Sequence, residues 1–282
     1  MLGRKDGMRF ECVLVDINTQ EDYCDPLGSS PVGNAIELMP ALRRVMAWTR
    51  RNFAPVVSSI ESHRATELTD SGTPICCVDG STGQHKVPFT LLPSRAVVEI
   101  DNTLAIPTNF FRRHQQVIFR KRTDDLLANP KADRLLTQLP ATEFFVVGAG
   151  LETSVKAAVL GLLARNKRVT VVADACGYWH KGTAGIVLRQ MQAKGAIVGS
   201  VDELLKRKLD RKMRSSYYPH RVRCAEPDRA LDKADPNPRK EATRTNGLSH
   251  DVAPATRNGR ASVPGALRPK PGQPMRQTDG TA

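Results

Sequence analysis

The feature that most constrains this chain is an alternation of short, near-continuous apolar runs with longer amphipathic segments over residues 10–209. Phe10 to Ile17 reads Phe-Glu-Cys-Val-Leu-Val-Asp-Ile and stops at polar residues. Asn34 to Asn52 has helical spacing, with Ile36, Met39, Leu42, Val45, Met46 and Trp48 on one side and Arg43, Arg44, Arg50 and Arg51 outside. Further strands are predicted at Pro55 to Ile60, Ala96 to Ile100, Gln116 to Phe119, Phe144 to Val147, Arg168 to Ala173 and Ala196 to Val198. Helices are predicted at Asp124 to Leu139, Thr153 to Asn166, Thr183 to Lys194 and Val201 to Leu209. Strands apolar on both faces and separated by helices imply a sheet buried on both sides. The expected class is α/β, a three-layer sandwich with a mostly parallel central sheet covered by helices on both faces. In such folds functional groups collect at the C-terminal ends of the strands. The positions to inspect therefore follow Ile17, Ile60, Phe119, Val147 and Ala173. Neither GxGxxG nor GxxxxGK[ST] occurs, which argues against a dinucleotide or P-loop protein.

The pattern ends near residue 207, so residues 1–207 are expected to form the domain and 208–282 a disordered basic tail rich in Pro and Arg. Residues 211–282 hold 15 Lys or Arg against 7 Asp or Glu, a large share of the formal net charge of +13. So polar a segment cannot bury enough apolar area to offset the entropy of ordering it. A basic tail invites comparison with nucleic-acid binders. Its charges are scattered among acids such as Glu226, Asp228, Asp232 and Asp235 without interleaved aromatics, which argues against that role. No apolar stretch reaches the ~18 residues needed to span a bilayer, and Met1 to Arg9 lacks the apolar core of a signal peptide. The six cysteines form neither a CxxC pair nor a disulfide framework, so reduced thiols in a cytoplasmic protein are expected.

Three strand ends carry polar groups in a telling order. The first reads Asp16-Ile-Asn18-Thr-Gln20-Glu-Asp22-Tyr23, the next Arg120-Lys121-Arg122-Thr-Asp124-Asp125, and the third Gly148-Ala-Gly-Leu-Glu-Thr-Ser154-Val155 at the start of a helix. This set resembles the isochorismatase-like hydrolases, a cysteine hydrolase superfamily that includes nicotinamidases. Their first strand ends in Asp-x-Gln-x-Asp-Phe, their lysine follows a central strand, and their cysteine sits in a Gly-x-x-Thr-x-x-Cys-Val turn. The resemblance runs from about Glu11 to Leu205. It implies an acid, a lysine and a nucleophile acting on a small amide or related carbonyl, with the oxyanion held by backbone N–H groups. It also implies a non-proline cis peptide, which falls here at Ala149–Gly150.

The sequence departs from that pattern at decisive positions. Ser154 stands at the cysteine position, Asn18 at the base aspartate and Leu151 at the motif threonine, while Lys121 keeps its place. A serine hydroxyl is far less acidic than a thiol, and a helix dipole worth ~1 kcal/mol does not ionise it. A base is needed within hydrogen-bond reach. Asp16, two residues before Asn18 on the same expected face, is one candidate, and His180, beyond Tyr178-Trp179, is another. The competing interpretation makes Ser154 a helix N-terminal residue, Asn18 a turn former and Lys121 an ion-pair partner. The resemblance further implies a divalent metal such as zinc as a candidate cofactor, with Glu61, His63 and Cys76 at the ligand positions. The plain alternative is a loop cap at His63 and small apolar packing by Cys76 and Cys77. The expected function is hydrolysis of a small amide or related carbonyl compound. The alternative is an inactive relative that binds a small carboxamide or carboxylate or acts as an interaction protein. The expected partner is a small molecule, with homo-oligomerisation through helix faces left open and no membrane.

Overall fold

A computed structural model describes residues 9–68, 75–100, 105–106 and 110–209. Apart from Lys208 and Leu209, the predicted tail lies outside the described residues. The strands are β1 (Phe10–Ile17), β2 (Val56–Glu61), β3 (Arg95–Val98), β4 (Gln116–Lys121), β5 (Ala141–Ala149), β6 (Val169–Gly177) and β7 (Ile197–Gly199). The helices are α1 (Glu21–Cys24), α2 (Ala35–Asn52), α3 (Pro130–Gln138), α4 (Lys156–Ala164), α5 (Lys181–Ala193) and α6 (Val201–Lys206).

The strands form one sheet in the order β3-β4-β2-β1-β5-β6-β7, and every pairing is parallel. Alternation along β1 sends Val13, Val15 and Ile17 into one core and Cys12 and Leu14 into the other. The first core is covered by Leu135 and Leu136 of α3, Val159 and Leu162 of α4, and Val187 and Met191 of α5. The second is covered by Leu38, Leu42 and Met46 of α2 and Leu204 of α6. This is the expected three-layer sandwich. Among the described residues, no helix is long and apolar enough to cross a membrane.

Two helix boundaries differ from the sequence reading. The segment from Asp124 opens as a 3₁₀ turn at Leu126–Ala128, and α3 begins only at Pro130. Proline suits the first helical position because its missing N–H has no partner there, and Asn129 caps the helix by accepting from Lys131 and Ala132 N–H. The segment after β5 opens as a π-helical turn, Leu151–Val155, before α4.

The chain winds outward from β1 through β2 to β3 and β4, then crosses to β5 on the other side of β1. The switch point lies between β1 and β5, where a crevice opens beyond the strand ends. Gly148 makes the close approach there. Its φ is +123°, and a Cβ would lie 1.9 Å from the Ile17 carbonyl oxygen. Only glycine tolerates both conditions.

Candidate active site

Four neighbouring strand ends place their side chains together. Asn18 follows β1, Glu61 ends β2, Lys121 ends β4, and Ser154 lies in the π-helical turn after β5. Glu61 and Lys121 are register partners. Lys121 Nζ donates to Glu61 Oε1 at 2.7 Å, to the Thr123 carbonyl at 2.9 Å and to Ser154 Oγ at 3.3 Å. Asn18 Nδ2 donates to Glu61 Oε1 at 2.5 Å and to Ser154 Oγ at 3.0 Å. The Ser154 hydroxyl has Glu61 Oε1 at 3.1 Å and Asp124 Oδ1 at 3.0 Å as acceptors for its one proton. Lys121 and Glu61 are 2% and 6% exposed and Ser154 1%, so the charge pair and the hydroxyl beside it are buried.

The predicted trio of Ser154, Lys121 and Asn18 is thus brought together, around a carboxylate read from sequence as a metal ligand. Glu61 is held by residues of the first strand-end motif. Gln20 clamps its backbone, accepting from Glu61 N–H at 2.7 Å and donating to its carbonyl at 2.9 Å. Tyr23 OH donates to Glu61 Oε2. Burial works to raise the Glu61 pKa, but the Lys121 ammonium, the nearby His63 and the hydrogen bonds from Lys121 and Tyr23 outweigh it and hold the group well below the usual carboxylate range. Gln20, Tyr23, Asp124 and the hub role of Glu61 escaped the sequence reading. The signal available was the position of Glu61 directly after the strand predicted at Pro55 to Ile60.

Asp16 does not join this centre. It is 1% exposed and is neutralised elsewhere, by Lys86 Nζ at 2.8 Å and by the hydroxyls of Ser58 and Thr19, each at 2.9 Å. The same-face argument fails because Asn18 leaves the strand with φ +48°. Asparagine is among the few residues that accept this left-handed conformation, so the turn-former reading of Asn18 holds alongside its place at the centre. His180 is exposed, its backbone N–H donates to Glu152 Oε1, and none of the Ser154 hydrogen bonds reaches it.

The Ala149–Gly150 peptide also differs from expectation: no cis bond occurs among the described residues. Gly150 turns the chain with φ +81° and ψ +57°, and its carbonyl accepts Thr153 N–H at 3.1 Å and Val155 N–H at 2.9 Å. The left-handed glycine makes the reversal and the π turn presents Ser154. Such turns recur at functional sites.

The predicted ligand set of Glu61, His63 and Cys76 does not fit a metal as arranged. His63 Nε2 lies 3.6 Å from Glu61 Oε2, and its Nδ1 pairs with Glu67 at 2.9 Å. The one group of three ligand atoms lying within 4.8 Å of one another among the described residues is Glu61, Cys76 and Cys77, and His63 stands outside it. Cys76 is half-buried, with its thiol 3.2 Å from Tyr23 OH. A hydrogen bond with Cys77, opposed by burial and aided by Tyr23, brings its pKa down to about 7. Cys77 is wholly buried, and its pKa is raised by its hydrogen bond with Cys76 and by burial. Cys12 and Cys176 are core residues.

The isochorismatase domain model matches residues 12–203. No curated protein matches the sequence. Among solved structures, an isochorismatase-like hydrolase from Alkaliphilus metalliredigens aligns with a TM-score of 0.56 at 16% identity, covering 70% of this chain and 98% of its own. A nicotinamidase from Bacillus subtilis aligns at 0.54 and 14% identity, over 68% of this chain and all of its own. The pyrazinamidase of Pyrococcus horikoshii, solved in complex with zinc, aligns at 0.53 and 17% identity, over 67% and 99%. These likenesses establish the fold, and the family model spans the sheet together with Asn18, Glu61, Lys121 and Ser154. The chain belongs to the isochorismatase family.

Proposed function

We propose that the chain hydrolyses a small amide or related carbonyl compound, with its acid–lysine–nucleophile set rebuilt as Glu61, Lys121 and Ser154. The observation that carries this reading is one carboxylate oxygen, Glu61 Oε1, standing 3.1 Å from Ser154 Oγ and 2.7 Å from Lys121 Nζ. The acid lost at residue 18 is replaced from the adjacent strand, while Asn18 becomes a donor that fixes the glutamate. In the acylation step Ser154 Oγ forms a bond to the carbonyl carbon and its proton passes to Glu61. The proton then moves to the leaving nitrogen as the C–N bond breaks, and water releases the acyl group from Ser154 by the reverse sequence. The oxyanion would be held by the first N–H groups of the turn at Leu151–Val155, and Lys121 would hold the glutamate's charge. The names of the structural relatives, amidases of nicotinamide, pyrazinamide and N-carbamoylsarcosine, support a small amide as substrate class. No step passes through a metal. Five described cysteines stand free, which supports a reducing compartment such as the cytoplasm.

A second reading is favoured by a different observation. Asn18 and Lys121 fill both acceptor positions of the Ser154 hydroxyl, and Glu61 is held ionised. Each unit of lowered pKa makes proton acceptance costlier by about 1.4 kcal/mol. On this reading the centre binds a carboxamide or carboxylate without cutting it. The deciding assay is turnover of a panel of simple amides and activated esters by the native protein, Ser154→Ala and Glu61→Gln. The hydrolase reading expects native turnover, none with Ser154→Ala, and a loss of about 10²-fold or more with Glu61→Gln. A folded native protein that is silent across the panel refutes it and leaves the binding reading.

A further inference from the structure

Among the described residues β3 lies at the edge of the sheet, paired on one side only, with β4. In a strand the N–H and C=O of one residue point to the same side, and successive residues alternate. The Ser94 carbonyl accepts Gln116 N–H at 3.1 Å, and Arg95 is the register partner of Gln116. Ser94, Ala96 and Val98 therefore turn their peptide groups towards β4, while Arg95 and Val97 turn theirs outward. The same alternation fixes the side chains. Ala96 and Val98 pack on the first core, so Arg95, Val97 and Glu99 lie on the other face, and all three are exposed. Such an edge is a template for pairing with another chain. We propose that β3 pairs antiparallel with β3 of a second copy of this chain, about a two-fold axis at Val97, and joins the two sheets into one.

A two-fold contact must be self-complementary, and the sequence of this edge is. With Val97 opposite its own copy, Ala96 stands opposite Val98 and Arg95 opposite Glu99. Val97, 48% exposed, meets an apolar partner, and its outward N–H and C=O are exchanged with those of the copy. One pair of opposite charges flanks it on each side. Other registers that match outward residues are worse. The nearest two set Val97 opposite Arg95 or opposite Glu99, and the next two set Arg95 or Glu99 opposite itself. Charged residues ordinarily protect an edge strand, but here their signs and spacing make them attract. Both side chains keep capacity for a partner. Arg95 spends Nη1 on the Leu92 carbonyl at 3.0 Å, and Glu99 Oε1 accepts from Arg120 Nε at 2.9 Å, which leaves Oε2 for the copy. The contact uses a sheet edge, not the helix faces considered from sequence. So short a strand gives an interface at the low end of the size range, so the dimer is expected to be reversible with a Kd of ~10–100 µM.

The test is sedimentation equilibrium of the full-length protein over a range of concentrations, with circular dichroism to confirm that each variant is folded. Native protein is expected to follow a monomer–dimer equilibrium. Arg95→Glu and Glu99→Arg each set like charges opposite one another twice per dimer, and each should weaken association about tenfold or more. The double variant Arg95→Glu/Glu99→Arg restores opposite charges at the same positions and should associate as the native protein does. Val97→Pro should abolish the dimer, because proline removes the central outward N–H, and edge strands tolerate proline there. A native protein that is monomeric at about 1 mM overturns the proposal. So does a dimer that the single charge variants leave intact, or one that they weaken and the double variant does not restore. Ser154→Ala is expected to associate as the native protein does, so the dimer and the hydrolase reading stand or fall separately.

Discussion

Replacing Glu61 by glutamine is the sharpest probe of the centre, because it removes one charge and almost no volume. The Lys121 side chain is 1% exposed and that of Glu61 8%, with nitrogen and oxygen 2.7 Å apart. At an effective dielectric of about 20, that separation corresponds to an attraction of roughly 6 kcal/mol, which desolvation of both ions largely offsets. Removing one partner leaves the desolvation of the other uncompensated. Lys121 would keep only neutral acceptors, the Thr123 carbonyl, the Ser154 hydroxyl and the new amide oxygen, and no counter-charge. The expected cost of Glu61→Gln is therefore about 3–5 kcal/mol, read as a lower urea midpoint with an unchanged slope. Trp48 and Trp179 serve as fluorescence probes. Lys121→Met alone is expected to cost a similar amount, because it leaves the carboxylate uncompensated. The double variant should recover about 2–3 kcal/mol of the summed loss, since the two residues act as one unit. Tyr23→Phe removes one hydrogen bond to Glu61 and should cost about 1–3 kcal/mol. A cost below about 1 kcal/mol for Glu61→Gln would place the pair with solvent-screened surface bridges and refute the reasoning.

Three further outcomes follow from other parts of the molecule. Asp16→Asn should cost about 3–5 kcal/mol in the same urea assay, because it strands the buried Lys86 ammonium, yet it should leave the panel substrates' relative rates unchanged. Gly148→Ala should exceed about 4 kcal/mol or abolish soluble expression, since its Cβ would strike the Ile17 carbonyl; Gly80→Ala, with φ +79° and open space around it, should cost only about 1–2 kcal/mol. Burial pushes the thiol pKa values of Cys12 and Cys24 up to about 12 from 9.0. Their neutral form is favoured in the native state, so this stability is complete below pH 9 and is lost as pH rises towards 12, at about 1.4 kcal/mol per unit for each thiol. Alkaline urea curves of native protein and Cys12→Ala should differ in slope against pH, and equal slopes would contradict it.

The four strand ends were legible from the alternation of apolar runs because burial on both faces leaves a strand no other pattern. The same pattern marked the strand ends that Lys121 and Ser154 follow, while the choice of those two residues came from the resemblance to the family's motifs. What failed was inference across strands. Asp16 and Asn18 are two residues apart in sequence, but a single left-handed residue sends one to Lys86 and the other to Ser154. Glu61 and Lys121 are 60 residues apart, and only the parallel register of β2 with β4 makes them partners.

The sequence by itself determined the layer architecture and the strands that reach the crevice. These follow from periodicity and residue type, which are local properties of the chain. The tertiary structure alone decided which carboxylate faces Ser154. That depends on sheet order, register and one positive-φ residue, Asn18. Charge interactions are set by distances of a few ångströms between residues remote in the chain, and no local pattern encodes them.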